Sequence, residues 1–182
     1  MGSHRCLQIA VLGSASAAED SPEGTSASEI GRLVASTGAV LLTGGCSGLP
    51  HAAVLGARQA GGSTVGVSPA ANREDHEQLY GYPMDSTILI FTGMGRRGRN
   101  VILVRSADAC IFIGGGMGTL NEFTIAFEDL GPSCGIGILT GTGGLIDEFA
   151  RLSGLTGRSP QAYTVIESDP TALMQSILEH FR

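Results

Sequence analysis

Short, nearly continuous apolar runs, spaced by segments of helical length, constrain this chain more than any other feature. Leu7–Leu12 is one such run and stops at Gly13-Ser14. Others follow at Ala39–Leu42, Thr64–Val67, Thr87–Phe91, Ala109–Ile113, Ile136–Leu139 and Val165-Ile166. A short strand without polar alternation is buried on both faces, which a parallel sheet covered by helices provides. The intervening segments carry helix signals. Ser26-Ala27-Ser28-Glu29 has capping-box spacing and predicts a helix from there to Gly38. A second helix is read from Pro50 to Ala60, a third from the Gly93–Gly98 connection to Ser106, a fourth after Gly118 and a fifth from Leu145. Asp169-Pro170 starts the last, with proline at the first helical position. Strict β-α alternation predicts an α/β fold. It is a doubly wound parallel sheet of about seven strands with right-handed crossovers, in three αβα layers. Residues 1–182 are read as a single domain, with Met1-Gly2-Ser3-His4 set aside as an expression scar.

In such a sheet the turns that follow the strands gather on one edge, where ligands bind. Thr43-Gly44-Gly45-Cys46-Ser47-Gly48 and Gly114-Gly115-Gly116-Met117-Gly118-Thr119 both lie there. Glycine lets an anion approach the backbone, and free N–H groups of a helix start can receive it. Gly44, Gly45 and Gly48, with Gly115, Gly116, Met117, Gly118 and Thr119, are therefore the candidate phosphate-binding residues. The first turn, Gly13-Ser14-Ala15-Ser16, lacks GxGxxG spacing, so ordinary dinucleotide binding is not indicated.

Composition removes several chemistries. There is no lysine: all 11 Lys-plus-Arg positions are arginine. No Schiff base can hold pyridoxal phosphate, and no Walker A lysine exists. A net charge of -6, 5% aromatic residues and no tryptophan argue against a nucleic-acid partner. No apolar stretch is long enough to span a membrane, and no signal peptide is seen. Cys6, Cys46, Cys110 and Cys134 show no CxxC spacing and read as reduced thiols of a cytoplasmic protein. His51, His76 and His180 lack metal spacing and read as loop or surface residues, with His51 a candidate for the pocket rim. No metal site is expected.

Glu122 stands three residues after Thr119 and has two readings. Thr119-Leu120-Asn121-Glu122 is itself a capping box. Alternatively, the carboxylate beside an anion-binding turn does chemistry. Arg96, Arg97 and Arg99 cluster at a predicted helix start, where cations oppose the macrodipole. They are either a solvated helix end or a counterpart to something anionic, onto which arginine can fork. Asp108 reads as a turn residue, and Asp147 and Glu148 as solvent-facing.

These residues resemble the Lonely Guy (LOG) family of Rossmann-like nucleotide-binding proteins, once labelled lysine decarboxylases. Its P-G-G-x-G-T-x-x-E pattern matches Gly114 to Glu122, with glycine in place of the proline. Its arginine–lysine pair is similar to Arg99-Asn100, with asparagine for lysine, followed by Ala107-Asp108. Gly44-Gly45-Cys46-Ser47-Gly48-Leu49 echoes its earlier glycine turn and departs at Pro50-His51. Ala60–Val67 also looks like the family. The resemblance spans roughly residues 7 to 140. It implies hydrolysis of the N-glycosidic bond of a nucleoside 5′-monophosphate, releasing free base and ribose 5-phosphate, without metal or organic cofactor. It also implies Arg99 and Glu122 as the catalytic pair, Asn100 among the phosphate- or nucleotide-binding residues, and a homodimer or higher homo-oligomer. The decarboxylase label fails for want of a lysine. Arg96-Arg97 replaces the family's methionine–histidine pair. Related branches carry ligands without hydrolysing them, the molybdenum-cofactor carriers among them. A carrier, or a sensor of a phosphorylated ligand, is thus the alternative to the hydrolase.

Overall fold

The computed structural model describes residues 6–182, without the side chains of Ala150 and Ser153. The segment read as an expression scar lies outside the described residues. Seven parallel strands form one sheet: β1 (Gln8–Gly13), β2 (Val40–Thr43), β3 (Thr64–Ser68), β4 (Ile88–Phe91), β5 (Ala109–Ile113), β6 (Gly135–Leu139) and β7 (Tyr163–Glu167). Their order is β4-β3-β2-β1-β5-β6-β7. The helices between them are α1 (Pro22–Ser36), α2 (Leu49–Gln59), α3 (Gly95–Arg105), α4 (Met117–Asp129), α5 (Ile146–Thr156) and α6 (Pro170–His180). This is the three-layer, Rossmann-like arrangement that the apolar runs predict.

The chain winds outward from β1 to β4, then returns to place β5 on the other side of β1. Ile9 pairs with Ala109, and Gly13 with Ile113. A crevice opens at such a reversal because the connections leave in opposite directions. One face of the sheet packs on α1, α2 and α6 through Ile9, Val11, Ile30, Ala53, Leu173 and Ile177. The other packs on α3, α4 and α5 through Leu12, Leu103, Phe112, Phe123, Ala126 and Phe149. Phe112 meets Phe123 and Phe149 edge-on at 5.4 and 6.0 Å, and those two rings stack at 4.4 Å. Truncating a buried phenylalanine of this kind costs about 3–5 kcal/mol. The aromatic cluster therefore fixes α4, whose first turn faces the crevice.

Two local expectations are corrected. Helix α1 starts at Pro22 rather than Ser26: Ser21 is the N-cap and accepts from the Gly24 N–H at 3.1 Å. Ser26 lies inside the helix, where its hydroxyl donates to the Pro22 carbonyl. The polar loop from Pro69 to Pro83 contains a π-helical turn at Asp75–Leu79 with a fully buried His76. His76 is therefore not a surface residue.

Candidate functional site

A cavity of about 410 Å³ opens beyond the carboxyl ends of β1, β2 and β5, at the reversal of strand order. The turn after β1 contributes Ser14 and Ser16, and the turn after β2 contributes Gly44 and Cys46. Helix α3 presents Arg96, Arg99 and Asn100. The first turns of α4 present Gly116, Gly118, Thr119 and Glu122. Pro50 of α2 and Tyr82 of the long loop complete the wall.

The start of α4 is built to leave its donors open. Gly114 and Gly115 have positive φ, 55° and 108°, which lets the chain turn sharply out of β5. Gly116 is the N-cap and, lacking a side chain, supplies no capping oxygen. The first intrahelical bond runs from the Leu120 N–H to the Gly116 carbonyl. Earlier first-turn N–H groups thus have no intrahelical acceptor, and Gly116, Gly118 and Thr119 of this turn line the cavity. Helices α1 and α6, away from the cavity, are capped by Ser21 and Asp169. The structure also removes one of the two readings of Glu122. Thr119 lies inside α4 and is not its N-cap, so the capping box does not form.

Glu122 is instead a buried acid of the cavity wall, 7% exposed. With the Asn100 amide turned so that its nitrogen faces acceptors, Nδ2 donates to Glu122 Oε1 at 3.0 Å and to the Arg96 carbonyl at 2.9 Å. Burial pushes the Glu122 carboxyl up to about 7, against the pull of the Arg99 charge. The acid is therefore poised to exchange a proton near neutrality.

Arg99 is 4% exposed, and its Nε and Nη1 have no hydrogen-bond partner among the described residues. Unsatisfied charged donors in a buried place are costly and call for an explanation. The Cys46 thiol lies beside the guanidinium, but sulfur is a weak acceptor and does not satisfy it. Burial raises the Cys46 thiol despite the positive charge, which disfavours its thiolate.

The sequence-selected residues divide. Gly44, Arg99, Asn100, Gly116, Gly118, Thr119 and Glu122 converge on the cavity. Gly45, Gly48, Gly115 and Met117 do not line it. Gly48 permits the turn after β1 to pack against the start of α2: a Cβ there would overlap the Ser14 carbonyl. The Gly115 carbonyl accepts from Leu145, and the Met117 side chain is 73% exposed. His51 does not reach the wall. It bridges Glu19 at 2.7 Å and Asp85 at 3.0 Å, while its neighbour Pro50 faces the cavity. Sequence reasoning missed Ser14, Ser16, Cys46, Pro50 and Tyr82 as wall residues. The serines sit on the same sheet edge as the glycine turns, which was a usable signal. Tyr82 carried none, because its position depends on how the long loop folds back.

The chain matches the SLOG cluster4 family over residues 6–160. An uncharacterized protein of Archaeoglobus fulgidus is 36% identical over 125 residues, covering 69% of this chain and 76% of that protein. The molybdenum cofactor binding protein of Rippkaea orientalis superposes with a TM-score of 0.79 at 30% identity, covering 99% of this chain and 100% of that one. The Moco carrier protein of Chlamydomonas reinhardtii gives 0.74 at 25% identity, covering 97% and 98%. With Glu122 and Arg99 meeting at one cavity in this fold, the chain belongs to the SLOG cluster4 family and is a LOG-like, Rossmann-fold protein.

Proposed function

We propose that the cavity binds a phosphorylated heterocycle, with its phosphate between Arg99 and the first turn of α4. The observation that carries this reading is the pair of buried, unpartnered nitrogens on Arg99. A phosphate supplies charge-assisted acceptors for both, and for the open α4 N–H groups. The volume of about 410 Å³ lies in the range of small-ligand pockets.

Within that class, carriage of a phosphorylated pterin of molybdenum-cofactor type is supported best. The full-length similarity to proteins named for binding or carrying that molecule favours it. So do three departures from the hydrolytic pattern: Gly114 for proline, Asn100 for lysine, and Arg96-Arg97 for methionine–histidine. A homodimer is proposed on the family resemblance and is checked by light scattering on a sizing column.

One observation favours a second reading, hydrolysis of a nucleoside 5′-monophosphate: Glu122 lines the cavity with its carboxyl near neutrality. In that reaction the C1′–N bond breaks and its electron pair leaves with the base, which takes up a proton. Positive charge builds on the ribose. Ionised Glu122 stabilises it and takes a proton from the water whose oxygen bonds to C1′.

Incubation with AMP and related monophosphates, followed by chromatography for free base, separates the readings. No base release, together with stoichiometric binding of a phosphorylated pterin, is the expected result. Base release that disappears in Glu122→Gln would establish the hydrolase instead. Binding that survives Arg99→Gln unchanged would remove the phosphate site altogether.

A further inference from the structure

The cavity holds one buried arginine, and its wall contains a second, exposed one. Arg96 and Arg99 are one turn apart on α3, and both face the cavity. Residues so spaced have Cβ atoms about 5–6 Å apart. Arg96 is held in place: its Nε donates to the Tyr82 hydroxyl at 3.2 Å, and its guanidinium carbon lies 5.7 Å from the centre of the Tyr80 ring. Tyr82 is fixed in turn by buried His76, edge-on at 5.7 Å, whose carbonyl accepts the Tyr82 N–H. Among the described residues the terminal nitrogens of Arg96 have no protein acceptor.

We propose that the site takes a ligand bearing a pyrophosphate, with one phosphate on Arg99 and the adjoining phosphate on Arg96. This rests on the phosphate-binding reading above and narrows its ligand class. Two neighbouring phosphates share one bridging oxygen, so their acceptors match two forks on one helix face. The first turn of α3 carries no acid, although the chain has a net charge of -6. Arg96, Arg97 and Arg99 therefore oppose the α3 macrodipole without internal compensation. Two bound phosphates supply it. There is also room for what hangs from the second phosphate. A further shallow, open hollow, lined by Tyr80, Met94, Gly95, Arg96 and Arg97, shares Arg96 with the cavity wall. A monophosphate seated on Arg99 leaves both Arg96 and this hollow unused.

The test is calorimetric titration of the full chain with inorganic phosphate and with inorganic pyrophosphate, probes that need no knowledge of the ring. Wild type, Arg96→Gln, Arg105→Gln and Arg99→Gln are compared. Arg105, in the last turn of α3, is the control: its replacement removes the same charge, but it lines neither the cavity nor the further hollow. Pyrophosphate is expected to bind roughly tenfold more tightly than phosphate, a gain set by the added charge-assisted bonds. Arg96→Gln removes most of that gain and leaves phosphate affinity nearly unchanged, whereas Arg105→Gln keeps it. Equal losses in Arg96→Gln and Arg105→Gln overturn the proposal, as does a gain that persists without Arg96. If phosphate binds in an Arg99-dependent way and pyrophosphate binds no better, this inference falls while the phosphate site stands. If neither anion binds the wild type, both fall together.

Discussion

The Arg99 guanidinium occupies the space that a side chain at position 44 would need: a Cβ on Gly44 would overlap its Nη1. Glycine at the end of β2 is thus a condition for the buried position of an arginine on α3. Gly44→Ala is expected to displace the guanidinium while leaving the sheet intact. Phosphate affinity should fall by roughly tenfold or more, the loss of one charge-assisted contact pair. The melting temperature should change by only a few degrees, since the arginine already lacks partners for Nε and Nη1. Titration calorimetry and thermal melting of the same variant check both halves. Unchanged affinity would show that Arg99 does not hold the anion.

Much of this was legible in the residues, for a physical reason. A strand buried on both faces must be apolar at every position, so β1 and β5 announce themselves as runs. A glycine turn after such a strand lands on the ligand edge by topology alone. Gly44 and Gly116 were therefore readable as site residues. What was not readable depends on long-range neighbours. Buried His76 is satisfied by Ser68 Oγ at 2.8 Å and the Pro83 carbonyl at 3.0 Å, contacts that exist only once the long loop has folded back. Tyr82 enters the wall by the same movement. Ser26 reads as the helix start by its capping-box spacing alone, whereas Ser21, followed by proline and accepting from the Gly24 N–H, is the N-cap that forms.

Glu122 gives a pH dependence whose sign can be worked out. Its folded value, about 7, lies above the ordinary 4.5 of an unfolded glutamate. The folded state thus binds the proton more tightly, and its contribution is fully present below pH 4.5. That contribution is lost as pH rises towards and through 7. The difference amounts to at most about 3 kcal/mol. Thermal or denaturant unfolding should show stability falling between pH 5 and pH 8 in the wild type, with a shallower fall in Glu122→Gln. Parallel curves for the two proteins would place the carboxyl outside the titrating range.

His76 links stability to the cavity wall. His76→Leu fills the space but leaves the Pro83 carbonyl without its donor and deprives Ser68 of its ring acceptor. Stranding buried polar groups of this kind costs about 1–3 kcal/mol each. The unfolding midpoint should drop accordingly. Tyr82 should also lose its edge-on support and release Arg96, so pyrophosphate affinity is expected to fall more than phosphate affinity. A destabilised variant with both affinities intact would show that His76 serves the fold alone.

Gly116→Asp tests the open start of α4 from the opposite direction. The N-cap glycine has φ −123°. A Cβ built there meets nothing within 4 Å, so the substitution is sterically allowed. An N-cap aspartate accepts first-turn N–H groups and complements the helix dipole, which stabilises a helix by about 0.5–2 kcal/mol relative to an uncapped residue. The gain over glycine itself is smaller, about a few tenths of a kcal/mol. The same carboxylate occupies the donors proposed for phosphate and adds a negative charge beside them. The expected outcome is a melting temperature equal to or slightly above wild type, together with loss of detectable phosphate binding. Such a separation would mean that α4 gives up a cap in order to receive a ligand. If the variant melts as predicted yet binds phosphate as before, the anion sits elsewhere in the cavity and the first turn of α4 has no part in holding it.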